Sequence, residues 1–96
     1  MSPLKRKKLS KIRSELDKLD NSLIKLIKKR TNLVKKVLKL KDKKNQIVDQ
    51  KRIKTILKNI RKKSLRTNID PKITNRIWKN MIWSYIDFER RIFKKK

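Results

Sequence analysis

The sequence predicts an all-α fold of three helices, one long and two shorter. Three observations carry that expectation. Apolar residues recur at three- and four-residue spacing over three separate stretches. The chain contains no Gly and only two Pro, whereas sheet proteins with many tight turns draw on Gly to make them. Neither Pro nor Gly interrupts the segment from Leu4 to Lys41, so one helix can run its whole length.

In that first segment Leu9, Leu16, Leu23 and Val37 fall on one seven-residue row. Ile12, Leu19, Leu26, Leu33 and Leu40 fall on a second. Together they form an a/d stripe over more than four heptads. A helix over residues 4–41 is about 55 Å long, while a compact domain of this size has a radius of gyration of about 13 Å. Two short helices cannot cover so long a stripe, so the expectation is a dimer with the long helices side by side. A free helix with a frayed basic end is the competing picture, and the persistence of both rows weighs against it.

Asp42 to Gln46 is a polar break. Asp49 suits an N-cap for helix two, whose apolar face is Ile53, Ile56, Leu57 and Ile60. Arg61 to Asn68 reads as a basic polar connection. Asp70-Pro71 pairs an N-cap with Pro at the first helical position, the start signal of helix three. Its apolar face is Ile73, Ile77, Trp78, Met81, Ile82, Tyr85, Phe88, Ile92 and Phe93, and the basic end Lys94 to Lys96 suits a helix C-terminus.

The composition narrows the chemistry. Of 96 residues, 33 are Lys or Arg and 8 are Asp or Glu, a formal net charge of +25. With no Cys there is no disulfide, thiolate metal site or Cys nucleophile, and with no His there is no imidazole base or ligand. With no Gly there is no phosphate-cradling glycine loop. No metal and no cofactor is expected. No leader-like apolar segment follows the basic start, and no run is apolar enough to span a membrane, so the expected location is the cytoplasm. The length suits a single domain, residues 1–96. A hydrophobic share of 35% is low, and only the helical periodicity separates the chain from a disordered one.

Most of the cations lie on solvated faces. The informative ones interrupt apolar rows. Arg30 stands where the row of Leu9, Leu16, Leu23 and Val37 calls for a hydrophobe. Arg13 begins, and Lys41 ends, the row containing Ile27 and Val34. A desolvated cation is costly unless an anion compensates it. If the helix continues, Arg30 and Lys41 lie three turns apart on one face, with Cα atoms about 16 Å apart, a gap suited to a small molecule. Arg13 is about 25 Å from Arg30 along the helix, within reach of that gap only from an antiparallel partner chain. The plainer alternatives are a snorkelling or salt-bridged Arg30, a helix-end Lys41 and a surface Arg13.

Asp49 and Arg52 form either a cap with an i,i+3 pair or a capped helix end with Arg52 aimed at an anion. Glu89, one of two Glu in the chain, lies on the row Ile77, Met81, Tyr85, Glu89, Phe93. Burial there favours its neutral form, which donates a hydrogen bond. A surface salt bridge to Arg90 or Arg91 is the alternative. Trp78, Trp83 and Tyr85 read first as core.

Taken in order, Arg13, Leu16-Asp17-Lys18-Leu19-Asp20, Arg30, Lys41, Asp49-x-x-Arg52 and Ile77-Trp78-x-x-Met81-Ile82-x-x-Tyr85-x-x-x-Glu89 resemble the AroQ class of chorismate mutases. The likeness spans nearly the whole chain, from Leu9 to Phe93. It implies an intertwined all-α homodimer in which Arg13 of one chain completes the site of the other. By the same likeness Arg30 binds a substrate carboxylate, Lys41 donates to the ether oxygen and Asp49 lies beside the ring hydroxyl. Arg52 adds positive charge, and Glu89 hydrogen-bonds the ether oxygen from the opposite side. Ile53 stands where many members have a Glu, and Tyr85 where a Ser is common. Both departures resemble isochorismate pyruvate-lyases of the same fold, while the retained Asp49 favours the mutase.

The implied chemistry suits a chain without His or Cys. Rearrangement of chorismate to prephenate is unimolecular and pericyclic, with no nucleophile, metal or cofactor. Cations hold the two carboxylates of a dianion in the reactive shape, and donors meet the negative charge that develops on the ether oxygen. Two readings from other classes remain. One is a basic helical nucleic-acid-binding protein, suggested by the charge, although nothing places base-reading residues. The other is a structural coiled coil, which would leave Arg30 and Glu89 unexplained. No specific nucleic acid and no membrane partner is expected.

Overall fold

A computed structural model describes residues 1–94 and is all-helical, as the periodicity predicts. Helix α1 runs Pro3–Lys39, a 3-10 turn follows at Lys44–Gln46, and α2 (Gln50–Arg66) and α3 (Pro71–Ile92) complete the order. Lys95 and Lys96, part of the basic end assigned to the last helix, lie outside the described residues. Among the described residues no helix is long and apolar enough to cross a membrane.

The chain divides into two compact units, residues 1–33 and 34–96. The first unit is the greater part of α1. Ser2 caps it, its hydroxyl accepting from the Lys5 amide at 3.2 Å, and Pro3 occupies the first turn, where its missing N–H costs nothing. Ile12, Leu16, Leu19, Leu23, Leu26 and Leu33 form the predicted stripe, and each is more than half exposed.

The second unit carries the apolar core. The end of α1 contributes Leu38, the segment before α2 contributes Ile47, and α3 contributes Ile82 and Ile86, all buried. Val48, Ile53, Ile56, Leu57 and Phe93 pack against them, so the apolar face read for α2 is the face it buries. Helices α2 and α3 form a hairpin. Its closed end is tied by the buried Ser64, whose Oγ lies 2.6 Å from Thr74 Oγ1 and donates to the Ile60 carbonyl at 2.7 Å.

Three expectations need correction. First, residues 61–66 are helical and belong to α2. The helix ends in a left-handed residue at Asn68, φ 56°, with the Ile69 amide bonded to the Ser64 carbonyl at 2.9 Å. This is the termination that Gly usually makes, and Asn substitutes for it in a chain without Gly. Second, Ile73 and Ile77 are exposed, Trp83 is 48% exposed, and Ile86, absent from the predicted face, is buried. An i±4 row drifts about 40° per step; Ile73 and Ile77 therefore fall well away from Ile82, whereas Ile86 stays beside it. Third, α1 stops at Lys39, so Lys41 is not on the helix that holds Arg30. The amides of Leu40 and Lys41 donate to the carbonyls of Val37 and Leu38, three residues back, and the tightened turn leads the chain off the helical path.

Candidate active site

The turn after α1 places Lys41. Gln46 closes it, its Oε1 accepting from the amides of Asp42 and Lys43, each at 2.8 Å. The same turn buries the Ile47 side chain to 3% exposure, which holds its carbonyl in place. Lys41, half-buried, donates from Nζ to that carbonyl at 3.3 Å. Its Nζ also lies 3.8 Å from Glu89 Oε1. The ammonium is therefore held between an oxygen dipole and a carboxyl group.

Glu89 projects from the buried side of α3, where Ile82 and Ile86 precede it, and is only 6% exposed. Burial pushes its carboxyl pKa above the ordinary carboxylate value, and the charge of Lys41 opposes that rise without cancelling it. Of the two sequence readings for Glu89, the buried one holds. Its cation partner is Lys41 rather than Arg90, and Arg91 pairs instead with Asp87 at 3.1 Å. Tyr85, one turn before Glu89, is half-buried.

Asp49 and Arg52 meet at the start of α2. Asp49 Oδ1 accepts from the Arg52 amide at 3.0 Å, the cap predicted for this position. Both side chains remain exposed. The next residue, Ile53, packs against the core, so an apolar contact occupies the position where a carboxylate is common in the resembling enzymes.

Arg13 and Arg30 belong to the first unit. Arg30 is half-buried, whereas Leu16, Leu19, Leu23, Leu26 and Leu33 of the same helix are each more than half exposed. Arg13 is exposed and shares a shallow surface hollow with Arg6 and Asp17.

Several contributors escape sequence reasoning. The Ile47 carbonyl and the Gln46 amide oxygen position Lys41, yet main-chain groups and turn-closing amides leave no periodic signature. Lys41 also lines a groove of about 410 Å³ with Leu38, Ile92, Phe93 and the lysines Lys35, Lys39 and Lys94. The four-residue spacing of Lys35 and Lys39 was a signal for one helix face, hidden by the abundance of Lys. Chemically, the second unit offers an ammonium and a carboxyl of raised pKa, close enough to act on one small polar group. Such a pair can stabilise charge developing on an oxygen without a metal or a nucleophile.

The family model for chorismate mutase type II matches residues 12–90 of the chain. No curated protein and no solved structure matches it.

Proposed function

The chain belongs to the chorismate mutase type II family, and from that membership we propose that it converts chorismate to prephenate in the cytoplasm, as a step in making aromatic amino acids. The observation that carries this reading is the pair formed by Lys41 and Glu89, an ammonium 3.8 Å from a buried carboxyl. In the reaction one C–O bond breaks as a C–C bond forms, and negative charge builds on the departing ether oxygen. Lys41 donates to that oxygen from one side. Glu89, in its protonated form, donates from the other. Both donors gain strength as the charge grows, so they stabilise the transition state more than bound chorismate.

The substrate must first be folded. Arg30 and Arg52 bind carboxylate, Asp49 accepts from the ring hydroxyl, and Tyr85, one turn before Glu89, contacts the substrate. Arg13 enters from a second copy of the chain, so the enzyme is a homodimer in which each site draws on both subunits. The exposed leucines of α1 support this arrangement, since a stripe of that length left in water is a costly surface that a partner helix removes.

The competing activity of the same fold is release of pyruvate from isochorismate. Ile53 favours it, because its side chain packs into the core and offers nothing to a ring hydroxyl. The test is incubation of the purified protein with each substrate, following prephenate by its acid-catalysed conversion to phenylpyruvate and pyruvate by a coupled reductase. Prephenate from chorismate is expected. Pyruvate from isochorismate, without prephenate, would replace the mutase by the lyase, and inertness toward both would end the proposal.

A further inference from the structure

We propose that the outer face of α2 is a binding site for the phosphate backbone of nucleic acid, read without regard to sequence. Eight of the 17 residues of this helix are Lys or Arg and none is acidic, and every one of the eight is exposed. Their placement is not random. At 100° per residue they occupy one arc of about 200°, interrupted by Thr55, Asn59 and the exposed Leu65, and the apolar residues Ile53, Ile56, Leu57 and Ile60 fill the opposite side. Because that opposite side is spent on the core and on α3, the cationic arc is fixed outward and cannot turn inward.

Along the centre of the arc Lys51, Lys54, Lys58, Lys62 and Arg66 follow one another at three- and four-residue steps, a ridge about 22 Å long. Over that length a nucleic acid duplex carries about 13 phosphate charges, so the ridge matches an extended polyanion rather than a single small anion. A membrane surface fits less well. Interfacial helices insert an apolar or aromatic face beside their cations, whereas α2 has no aromatic residue and exposes a single large apolar side chain, Leu65, too little to form such a face. No aromatic residue that stacks on bases lies on α2, and its cations are spread along the whole helix rather than gathered at one end to enter a groove, so the site takes the backbone.

The experiment measures binding of fluorescein-labelled 20-base-pair duplexes of two unrelated sequences by anisotropy, at 50–200 mM salt. Equal affinity for both sequences and a steep fall with salt are expected. The variant K54Q/K58Q/K62Q/R66Q keeps good helix formers at each position and leaves the proposed catalytic residues in place. It should bind at least tenfold more weakly at 100 mM salt, with a log–log salt slope smaller by about three to four. The control K5Q/K7Q/K8Q/K11Q removes the same charge from the start of α1 and should retain most of the affinity. Equal losses in the two variants would mean that total charge, not α2, binds the duplex, and would overturn the assignment. So would absence of duplex binding at 100 mM salt, a strong preference for one sequence, or tighter binding to vesicles containing phosphatidylserine than to duplex. Far-UV circular dichroism verifies that both variants remain helical.

Discussion

Lys41 Nζ stands 3.8 Å from Glu89 Oε1, and of the two only the carboxyl is nearly sealed from water, its side chain 8% exposed against 19% for the lysine. The asymmetry bears on the carboxyl, whose charged form loses more hydration than a solvated carboxylate's. Desolvation acts on Glu89 more strongly than Lys41 offsets it, so its carboxyl titrates above the ordinary value of 4.5.

A pH dependence with a definite sign follows. A carboxyl whose folded pKa exceeds its unfolded one binds more protons in the folded state between the two values, so stability falls as pH rises across that window. Its contribution is fully present below the unfolded value and gone above the folded one. Activity should fall over the same rise, because the proposed donor loses its proton. Glu89→Gln donates at all pH values and should flatten the activity profile. Lys41→Ala should lower turnover about 10²–10³-fold in a chain that still folds. An unchanged profile in Glu89→Gln would remove the protonated carboxyl from the mechanism.

The sequence revealed the elements and their starts more clearly than their ends. Asp49 and Asp70-Pro71 announced α2 and α3 because capping is local chemistry, written in adjacent residues. The end of α2 was misplaced by several residues because it rests on Asn68, one of several Asn in the chain, and the usual Gly was missing. Glu89 was legible as a carboxylate on an apolar row. Its pairing with Lys41 was not, since it depends on a tightened turn held by Gln46 and on the Ile47 carbonyl, neither of which leaves a periodic trace.

That helix end supplies a stability test. Asn68 holds φ 56°, a region that costs an ordinary side chain roughly 1–2 kcal/mol and Gly nothing. Asn68→Gly should leave stability near that of the parent. Asn68→Val should lower it by about 1–2 kcal/mol, read from urea unfolding at one fixed protein concentration so that assembly does not enter the comparison. Equal midpoints for the two variants would mean that the left-handed turn contributes nothing to holding the α2–α3 hairpin closed.

The proposed sharing of sites between subunits has the most demanding test. Arg13→Ala removes the arm lent to the neighbour, and Arg30→Ala removes a carboxylate anchor from the chain's own site. Each homodimer should be nearly inactive while remaining folded. If the two variants are unfolded together and refolded as a mixture, about half of the dimers pair unlike chains, as isologous association dictates. In such a dimer one site combines the intact Arg30 of the Arg13→Ala chain with the intact Arg13 of the Arg30→Ala chain, and the other site lacks both. Activity should recover to about a quarter of the wild-type value, half the dimers each holding one of two sites. Recovery requires both that the chain dimerises and that Arg13 crosses between subunits. If sedimentation shows dimers and the mixture stays inactive, Arg13 serves its own chain or none. If sedimentation shows only monomers, the exposed leucines of α1 have some other role.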